Sequence, residues 1–295
     1  MDTMQTHELD AAAVAHLRQW EGRGEEMVDD IGAAPLCGLA ATLDCDGPSP
    51  ARGDAAAPLG HWLYFLPQAR QSQMGPDGHP RRGGFLPPVP LPRRMWAGGR
   101  LHWESDNPLR VGDEVVRRSR VDSVAHKHGR SGEMVFVRVR HEVHNSHGLC
   151  LTEEQDIVYR AAAQAGEPSA VSTPARTGAP WQRQITPDPV LLFRYSALTF
   201  NGHRIHYDRA YATGEEGYPG LVVQGPLIAT LLVDLARRQA PGRFVRRFEF
   251  RAVRPTFDLH PFCLNGEPAA DGRSAKLWAS DHEGGLTMQA SVELA

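Results

Sequence analysis

No stretch of the 295 residues approaches the roughly 18 consecutive apolar positions that a membrane-spanning helix needs. No CxxC pair, HExxH box or zinc-finger spacing occurs, although there are 14 histidines. Neither a metal nor a cofactor is therefore expected. Only four cysteines are present, Cys37, Cys45, Cys150 and Cys263, and free thiols in a reducing compartment are expected. Basic residues are not in excess. Lys and Arg number 32 against 35 Asp and Glu, for a formal net charge of -3, which argues against nucleic acid as a partner. The N-terminal "MDTMQTHELDAAAVAHLRQWEG" lacks a basic stretch followed by an apolar one. A cytoplasmic protein with no membrane partner is the expectation.

Glycine and proline are plentiful, at 29 and 23 residues. They concentrate in two segments. Residues 66–99, "LPQARQSQMGPDGHPRRGGFLPPVPLPRRMWAGG", are too long for an ordinary connection, which marks a functional loop or a lid. Residues 161–182 have the Ala/Ser/Pro composition of a linker. The chain then divides into 1–160 and 183–295.

The two halves repeat one plan. "RLHWESDNPLRVGDEV" (100–115) lies without gaps on "RFEFRAVRPTFDLHPF" (247–262), with Arg100 on Arg247, Trp103 on Phe250 and Pro108 on Pro255. "HGLCLTEEQDIVY" (147–159) resembles "GGLTMQASVEL" (284–294), and "LAATLD" (39–44) resembles "SALTFN" (196–201). Alternation of apolar and polar residues predicts strands here and at 134–145 and 274–283. Helices are predicted at 8–22, with Thr6 as N-cap and Gly22 near the end, and at 225–242. In the second, Pro226 suits the first turn, Arg237 and Arg238 suit the last, and Pro241-Gly242 stops it. Its broadly apolar run predicts a buried helix. Each half reads as a loop-and-helix block followed by an antiparallel sheet.

The densest chemistry lies in "YSALTFNGHRIHYDRAYATGEEGYPGLVVQGPLIATLL", residues 195–232. His206 has the one side chain whose ordinary pKa suits a general base at neutral pH. Asn201, five residues earlier, can hold a water or orient the imidazole but cannot transfer protons at pH 7. Gly225 opens the buried helix, where free N–H groups and the helix dipole favour a developing negative charge. Asp208 and Arg209 read as a local ion pair, and Tyr211-Ala212 and Tyr218-Pro219-Gly220 as packing and turn residues. From these residues alone, the segment is either a catalytic loop or a polar loop beside a core helix.

The segment resembles the MaoC-like hydratase/dehydratase family of the double hot-dog kind. The family's order of amide or acid, histidine five residues on, Asp, small residue and helix-opening glycine falls here on Asn201, His206, Asp208, Ala212 and Gly225. "TFNGHRIHYD" (199–208) is similar to one subgroup. That subgroup contains type 2 3-hydroxyacyl-thioester dehydratases and the mesaconyl-C4-CoA (3-methylfumaryl-CoA) and itaconyl-CoA hydratases. "LAATLD…HWLYFLP…LPRRMWAGGRLHW" matches its degenerate first half. The resemblance implies an α+β double hot-dog: two antiparallel sheets, each wrapped round a central helix, forming a pseudo-dimer in one chain. It implies a non-catalytic first half, since Ser49 stands where a histidine would be. It departs from the commoner pattern at Asn201, where Asp is usual. His206 acting twice, His203, or Asp44 from the matching place in the first half would have to compensate.

The implied activity is reversible hydration of an α,β-unsaturated acyl-CoA thioester, with itaconyl-CoA or mesaconyl-C4-CoA giving citramalyl-CoA. Gly225 would hold the thioester oxygen, His206 would take the proton of water and Asn201 would orient it. A free substrate carboxylate calls for arginine. Arg93 and Arg94 are the favoured candidates, ahead of Arg81 and Arg82. Arg246, Arg247 and Arg251 could serve CoA phosphates. The alternatives are a 3-hydroxyacyl-thioester (ACP or CoA) dehydratase and a non-catalytic acyl-CoA-binding hot-dog module. A monomer and a homodimer are equally compatible with the chain.

Overall fold

The computed structural model describes residues 9–129, 132–161 and 172–295. The first half contributes β1 (Gly24–Asp30), β2 (Arg93–Trp103), β3 (Glu114–Gly129), β4 (Gly132–Asn145) and β5 (Gly148–Arg160). The second contributes β6 (Trp181–Ile185), β7 (Val245–Ala252), β8 (Phe262–Pro268), β9 (Ser274–Ser280) and β10 (Leu286–Leu294). Helices α1 (Ala11–Arg18) and α2 (Ala33–Thr42) belong to the first half. Helices α3 (Pro189–Leu198), α4 (Arg209–Gly214) and α5 (Gly225–Gln239) belong to the second.

The strands form one sheet in the order β1-β3-β4-β5-β2-β7-β10-β9-β8-β6. Every neighbouring pair is antiparallel. The two sheets expected from the resemblance are thus two five-stranded arrays fused edge to edge. They meet where β2 pairs with β7, Arg100 opposite Glu249 and Leu101 opposite Phe248. Side chains alternate as a half-buried sheet requires. On β4, Val135, Val137, Val139 and Val143 are buried and Arg138 is exposed. On β7, Phe248 and Phe250 face the core while Arg246, Arg247 and Arg251 are exposed.

Helix α5 is the axis of the second half. Leu227 through Ala236 are all buried, because β6 to β10 pack around it. Each large side chain enclosed in this way contributes about 1.5–3 kcal/mol. The helix stops at Gln239, short of the predicted 242, since Pro241 cannot continue it and Gly242 has φ +78°. Among the described residues, no helix is long and apolar enough to cross a membrane.

The internal repeat is explicit in backbone hydrogen bonds. In the second half, Val223 N–H donates to Thr256 O (2.8 Å) and Asp258 N–H to Leu221 O (3.0 Å). In the first, Ala56 N–H donates to Leu109 O (2.8 Å) and Val111 N–H to Asp54 O (2.9 Å). The alignment that sets Arg100 on Arg247 also sets Leu109 on Thr256 and Val111 on Asp258, so one register holds throughout. Two residues after Val223 comes Gly225, and two after Ala56 comes Pro58. The first half therefore has a residue without an N–H where the second has its helix-opening glycine. Only a 3-10 turn, Gly60–Leu63, stands there in place of α5.

Asn201 also has its partner identified. Asn201 N–H donates to Ser196 O (2.8 Å), and Cys45 N–H donates to Ala40 O (2.9 Å). The preceding residues, Phe200 and Asp44, share the left-handed backbone, at φ +48° and +53°. The counterpart of Asn201 is thus Cys45 and not Asp44, one residue away from the sequence alignment.

Several predicted boundaries move. Helix α1 starts at Ala11 and is capped by Asp10, whose Oδ1 accepts from Ala13 N–H at 2.7 Å. Thr6, the expected cap, lies outside the described residues. Residues 93–99, read as loop, are the start of β2. Of the 161–182 linker, 162–171 lie outside the described residues. Thr173 to Ala175 pair with the 284–286 turn, and Trp181 and Gln182 open β6.

Candidate active site

A cavity of about 640 Å³ lies between the halves. The first half lines it with Trp62, Phe65, Met74, His79, Trp96, Arg117 and Glu153, and the second with Tyr195, Asn201, Gly202 and Pro226. The 66–92 stretch folds over it, placing Leu66, Pro67, Ala69, Gln71 and Pro80 in its wall. Trp62, Trp96 and Phe250 pack edge to face, with Trp62–Trp96 centroids 4.9 Å apart. Phe193, Phe200 and Tyr207 also line it and are half to two-thirds exposed, so its rim is aromatic.

His206 closes the 3-10 turn Arg204–His206 and is buried. Its Nδ1 lies 2.7 Å from Val222 O, while Val222 N–H donates to Ile205 O at 3.0 Å. A carbonyl can only accept, so Nδ1 carries the proton and Nε2 keeps a lone pair. Burial pushes the His206 pKa down to about 4, so the ring is neutral at pH 7 and can accept a proton. Val222 is three residues ahead of Gly225, which ties this imidazole to the start of α5. Gln224, the N-cap residue, makes no side-chain cap. Its amide donates instead to Leu192 O and Ser196 Oγ, each 2.9 Å away, so the first-turn N–H groups are not satisfied from within the helix. A Cβ built on Gly225 would meet Trp96 O at 4.0 Å, an ordinary contact.

Asn201 lines the cavity, and its Oδ1 accepts from His203 N–H at 3.1 Å. The strained φ of Phe200 presents Asn201 to the cavity. Asp44 is exposed, and its carbonyl accepts from Arg238 beyond the middle of α5. Helix α5 is about 20 Å long at 1.5 Å per residue, so Asp44 and His206 lie at opposite ends of it.

The arginines separate. Arg93 donates to Glu216 O at 2.7 Å, lies 3.4 Å from the Glu216 carboxylate and stacks over Tyr218. Arg94 is half-buried, lies opposite Tyr159 of β5 in the ladder, and has no carboxylate partner among the described residues. It lies two residues from cavity-lining Trp96, hence on the same strand face. Arg82 is spent on the carbonyls of Val89, Leu91 and Pro92 in its own loop. Arg81, Arg246, Arg247 and Arg251 are exposed and do not line the cavity. Asp208 does not pair with Arg209. It binds Arg204 (2.8 Å) and caps α4 through Tyr211 N–H (3.0 Å), while Arg209 pairs with Asp258.

Two groups were not singled out from the sequence. The first is Asp77 and His79, with Asp77 Oδ2 3.0 Å from His79 Nδ1. The His79 ring is 4.1 Å from that of His203, and His203 is 5.3 Å from His206. Burial and the neighbouring imidazoles push His203 down to about 2, so it is uncharged. Asp77, His79 and His203 offer ligand atoms within 4.8 Å of one another, so a metal ion could sit there. The Asp77–His79 hydrogen bond already occupies two of those atoms. The second group surrounds Glu153, which accepts from Trp62 Nε1 (2.9 Å) and Gln155 Nε2 (3.0 Å) and lies 3.0 Å from His61 Nε2. Burial alone would raise Glu153, but the His61 hydrogen bond and the His61 and His141 charges outweigh it and hold it down to about 2. A "DG" turn dipeptide at 77–78 was the one local signal for the first group. Nothing in the sequence pointed to the second, because its members come from 61–62 and from β5.

A neutral imidazole, a primary amide and a helix N-terminus thus lie beside an open-mouthed cavity between two fused antiparallel half-sheets, the architecture of a double hot-dog protein. A MaoC-like dehydratase from Phytophthora capsici matches over 96% of this chain and 97% of its own, with TM-score 0.70 and 12% identity. A Mycobacterium tuberculosis protein described as a double hot-dog matches over 93% and 96%, with TM-score 0.52 and 13% identity. The family model for hydroxyacyl-thioester dehydratase type 2 matches residues 57–258. The chain is 48% identical over 276 residues to mesaconyl-C4-CoA hydratase of Chloroflexus aurantiacus, covering 93% of this chain and 96% of that one. The chain belongs to the hydroxyacyl-thioester dehydratase type 2 family.

Proposed function

We propose that the protein is a hydro-lyase that reversibly hydrates a branched C5 dicarboxylic enoyl-CoA thioester, mesaconyl-C4-CoA or itaconyl-CoA, to citramalyl-CoA. The observation that carries this reading is His206. It is a buried, neutral imidazole with its Nδ1 proton committed to Val222 O, next to the glycine that opens α5. His206 Nε2 takes a proton from water as the oxygen attacks Cβ. Asn201 orients that water. The Gly225 N–H at the helix start stabilises the enolate-like thioester oxygen. The high identity to a mesaconyl-C4-CoA hydratase supports the acyl group, and Arg94, on the same strand face as cavity-lining Trp96 and without a carboxylate partner among the described residues, is assigned to its carboxylate. Pro58 in place of Gly225 supports a first half that shapes the cavity without an oxyanion site of its own.

Purified protein is expected to add water to mesaconyl-C4-CoA and itaconyl-CoA. His206→Ala should lower turnover by about 10²- to 10⁴-fold with an unchanged melting temperature. A His206→Ala protein that kept most of its activity would sink the mechanism. The family description favours a second reading, dehydration of linear 3-hydroxyacyl thioesters on CoA or carrier protein. Turnover of crotonyl-CoA, with none of the dicarboxylic thioesters, would select it. CoA binding without any turnover would select a non-catalytic module.

A further inference from the structure

Asn201 cannot carry the second proton of the reaction, and its neighbour His203 is held uncharged. The first half brings one to the same place. Residues Met74–Pro80 form a tight turn closed by an isolated bridge. Gly75 N–H donates to His79 O at 2.7 Å across it. The turn is pinned to the catalytic loop of the other half, because Arg204 N–H donates to Asp77 O (2.9 Å) and Arg204 Nη1 to Pro76 O (3.0 Å). His79 lines the cavity beside Asn201 and Gly202. Asp77 accepts twice from His79, from its N–H and from its ring Nδ1, both at 3.0 Å. Those two bonds set the ring orientation and leave Nε2 without a hydrogen-bond partner among the described residues.

We propose that His79, oriented by Asp77, is the residue that exchanges a proton with the α-carbon, while His206 exchanges one with the water. This rests on the hydratase reading above. In the hydration direction, water's oxygen bonds to Cβ and its proton passes to His206 Nε2. The π electrons move onto the thioester, and the enolate then takes the proton from Nε2 of the His79 imidazolium at Cα. His206 ends protonated and His79 neutral, and proton exchange with solvent water resets both. Dehydration is the reverse: His79 removes the α-proton, and His206 protonates the departing hydroxyl.

The groups around His79 act on it in opposite senses, and its pKa is lowered on balance. Burial is the largest influence and lowers its pKa, and Arg94 and Arg82 act in the same sense. The hydrogen bond to Asp77 and its charge act the other way, favouring the imidazolium. Asp77 is itself ionised: burial would raise it, but the His79 side-chain and backbone hydrogen bonds bring it well below its ordinary value. His203, the remaining neighbour, is uncharged. His206 has only a carbonyl partner, so of the two rings His79 alone has a carboxylate to stabilise an added proton.

The test uses citramalyl-CoA in D₂O, following α-hydrogen exchange and water loss separately. Wild type should do both. His79→Gln should lose exchange and turnover by about 10²-fold or more, with KM within about threefold. His206→Gln should lose water elimination and keep exchange. Asp77 is a positioning residue, so Asp77→Asn should lower kcat while KM stays within about threefold, and Asp77→Glu, which keeps a carboxylate, should restore part of the loss. Melting temperatures and a second variant, His79→Asn, separate catalysis from folding. A folded His79→Gln protein that exchanges and turns over within threefold of wild type overturns the assignment alone. A wild type that does neither overturns the functional reading and this assignment with it.

Discussion

Arg93 and Arg94 are adjacent on β2 and have different surroundings, which sets what each can do. Arg93 is neutralised by Glu216 and stacked on Tyr218, so it ties the 214–218 segment to the first half. Arg94 has no carboxylate partner among the described residues and lies on the strand face of cavity-lining Trp96. A hydrogen bond to a charged group is worth about 1.5–3 kcal/mol, so Arg94→Met should raise KM for mesaconyl-C4-CoA roughly 10- to 100-fold and leave crotonyl-CoA unchanged. Equal KM values in the variant and the wild type would remove Arg94 from the carboxylate site. Arg93→Met should act mainly on stability. The sequence nominated both residues and ranked them together, because the difference is made by Glu216, 123 residues away.

At the scale of elements, the decisive contact is between the 74–80 turn and the 202–204 loop. Gly78 has φ +85°, and a Cβ there would lie 1.9 Å from Gly202 O, so no side chain fits without moving one backbone or the other. Gly78→Ala should lower kcat at least about tenfold by displacing Asp77 and His79, since misplacement by an ångström is costly to catalysis. Gly22→Ala is the matched control. Gly22 has φ +81° but nothing within 4 Å, so it suffers the backbone strain without the clash and should keep its activity. Equal activities in the two variants would refute a catalytic role for the contact. Helix α5 was legible because nine apolar positions between Pro226 and Pro241 admit few alternatives. Strand β3, "EVVRRSRVDSVAHKHG", was not, since charges on its open face mask the alternation of Val115, Val121 and Val124.

The whole molecule behaves as one body in its packing. The larger of two hydrophobic clusters runs from Leu36 and Leu101 of the first half to Leu231 and Val292 of the second, while the smaller, around Val121, Val135 and Tyr159, belongs to the first half. Buried Asp234 on α5 holds Arg183 at 2.8 Å and Arg238 at 2.6 Å, and both guanidiniums also donate to Leu43 O of the first half at 2.9 Å. Asp234→Ala leaves two cations against those carbonyls without their counter-charge. The arginines are a quarter to a third exposed, so the cost should sit near the low end for a broken buried pair, about 3 kcal/mol. Denaturant unfolding should remain one transition, coincident by fluorescence and circular dichroism. Two separated transitions would show that the halves unfold independently.

The sequence by itself determined the repeat, the buried helix and the residues His206, Asn201 and Gly225 as candidates, because these depend on local spacing, turn chemistry and residue type. Its register was right where apolar alternation ran long, across 100–115 and 247–262, and one residue off in the short "LAATLD" segment. Only the tertiary structure decided which of the polar residues share the cavity. The chain brings Asp77 and His79 onto a loop more than a hundred residues away, puts Cys45 and not Asp44 opposite Asn201, and buries Glu153 among His61, Trp62 and Gln155. Those contacts follow from joining two half-sheets through β2 and β7, an edge pairing that leaves no periodic mark in the sequence.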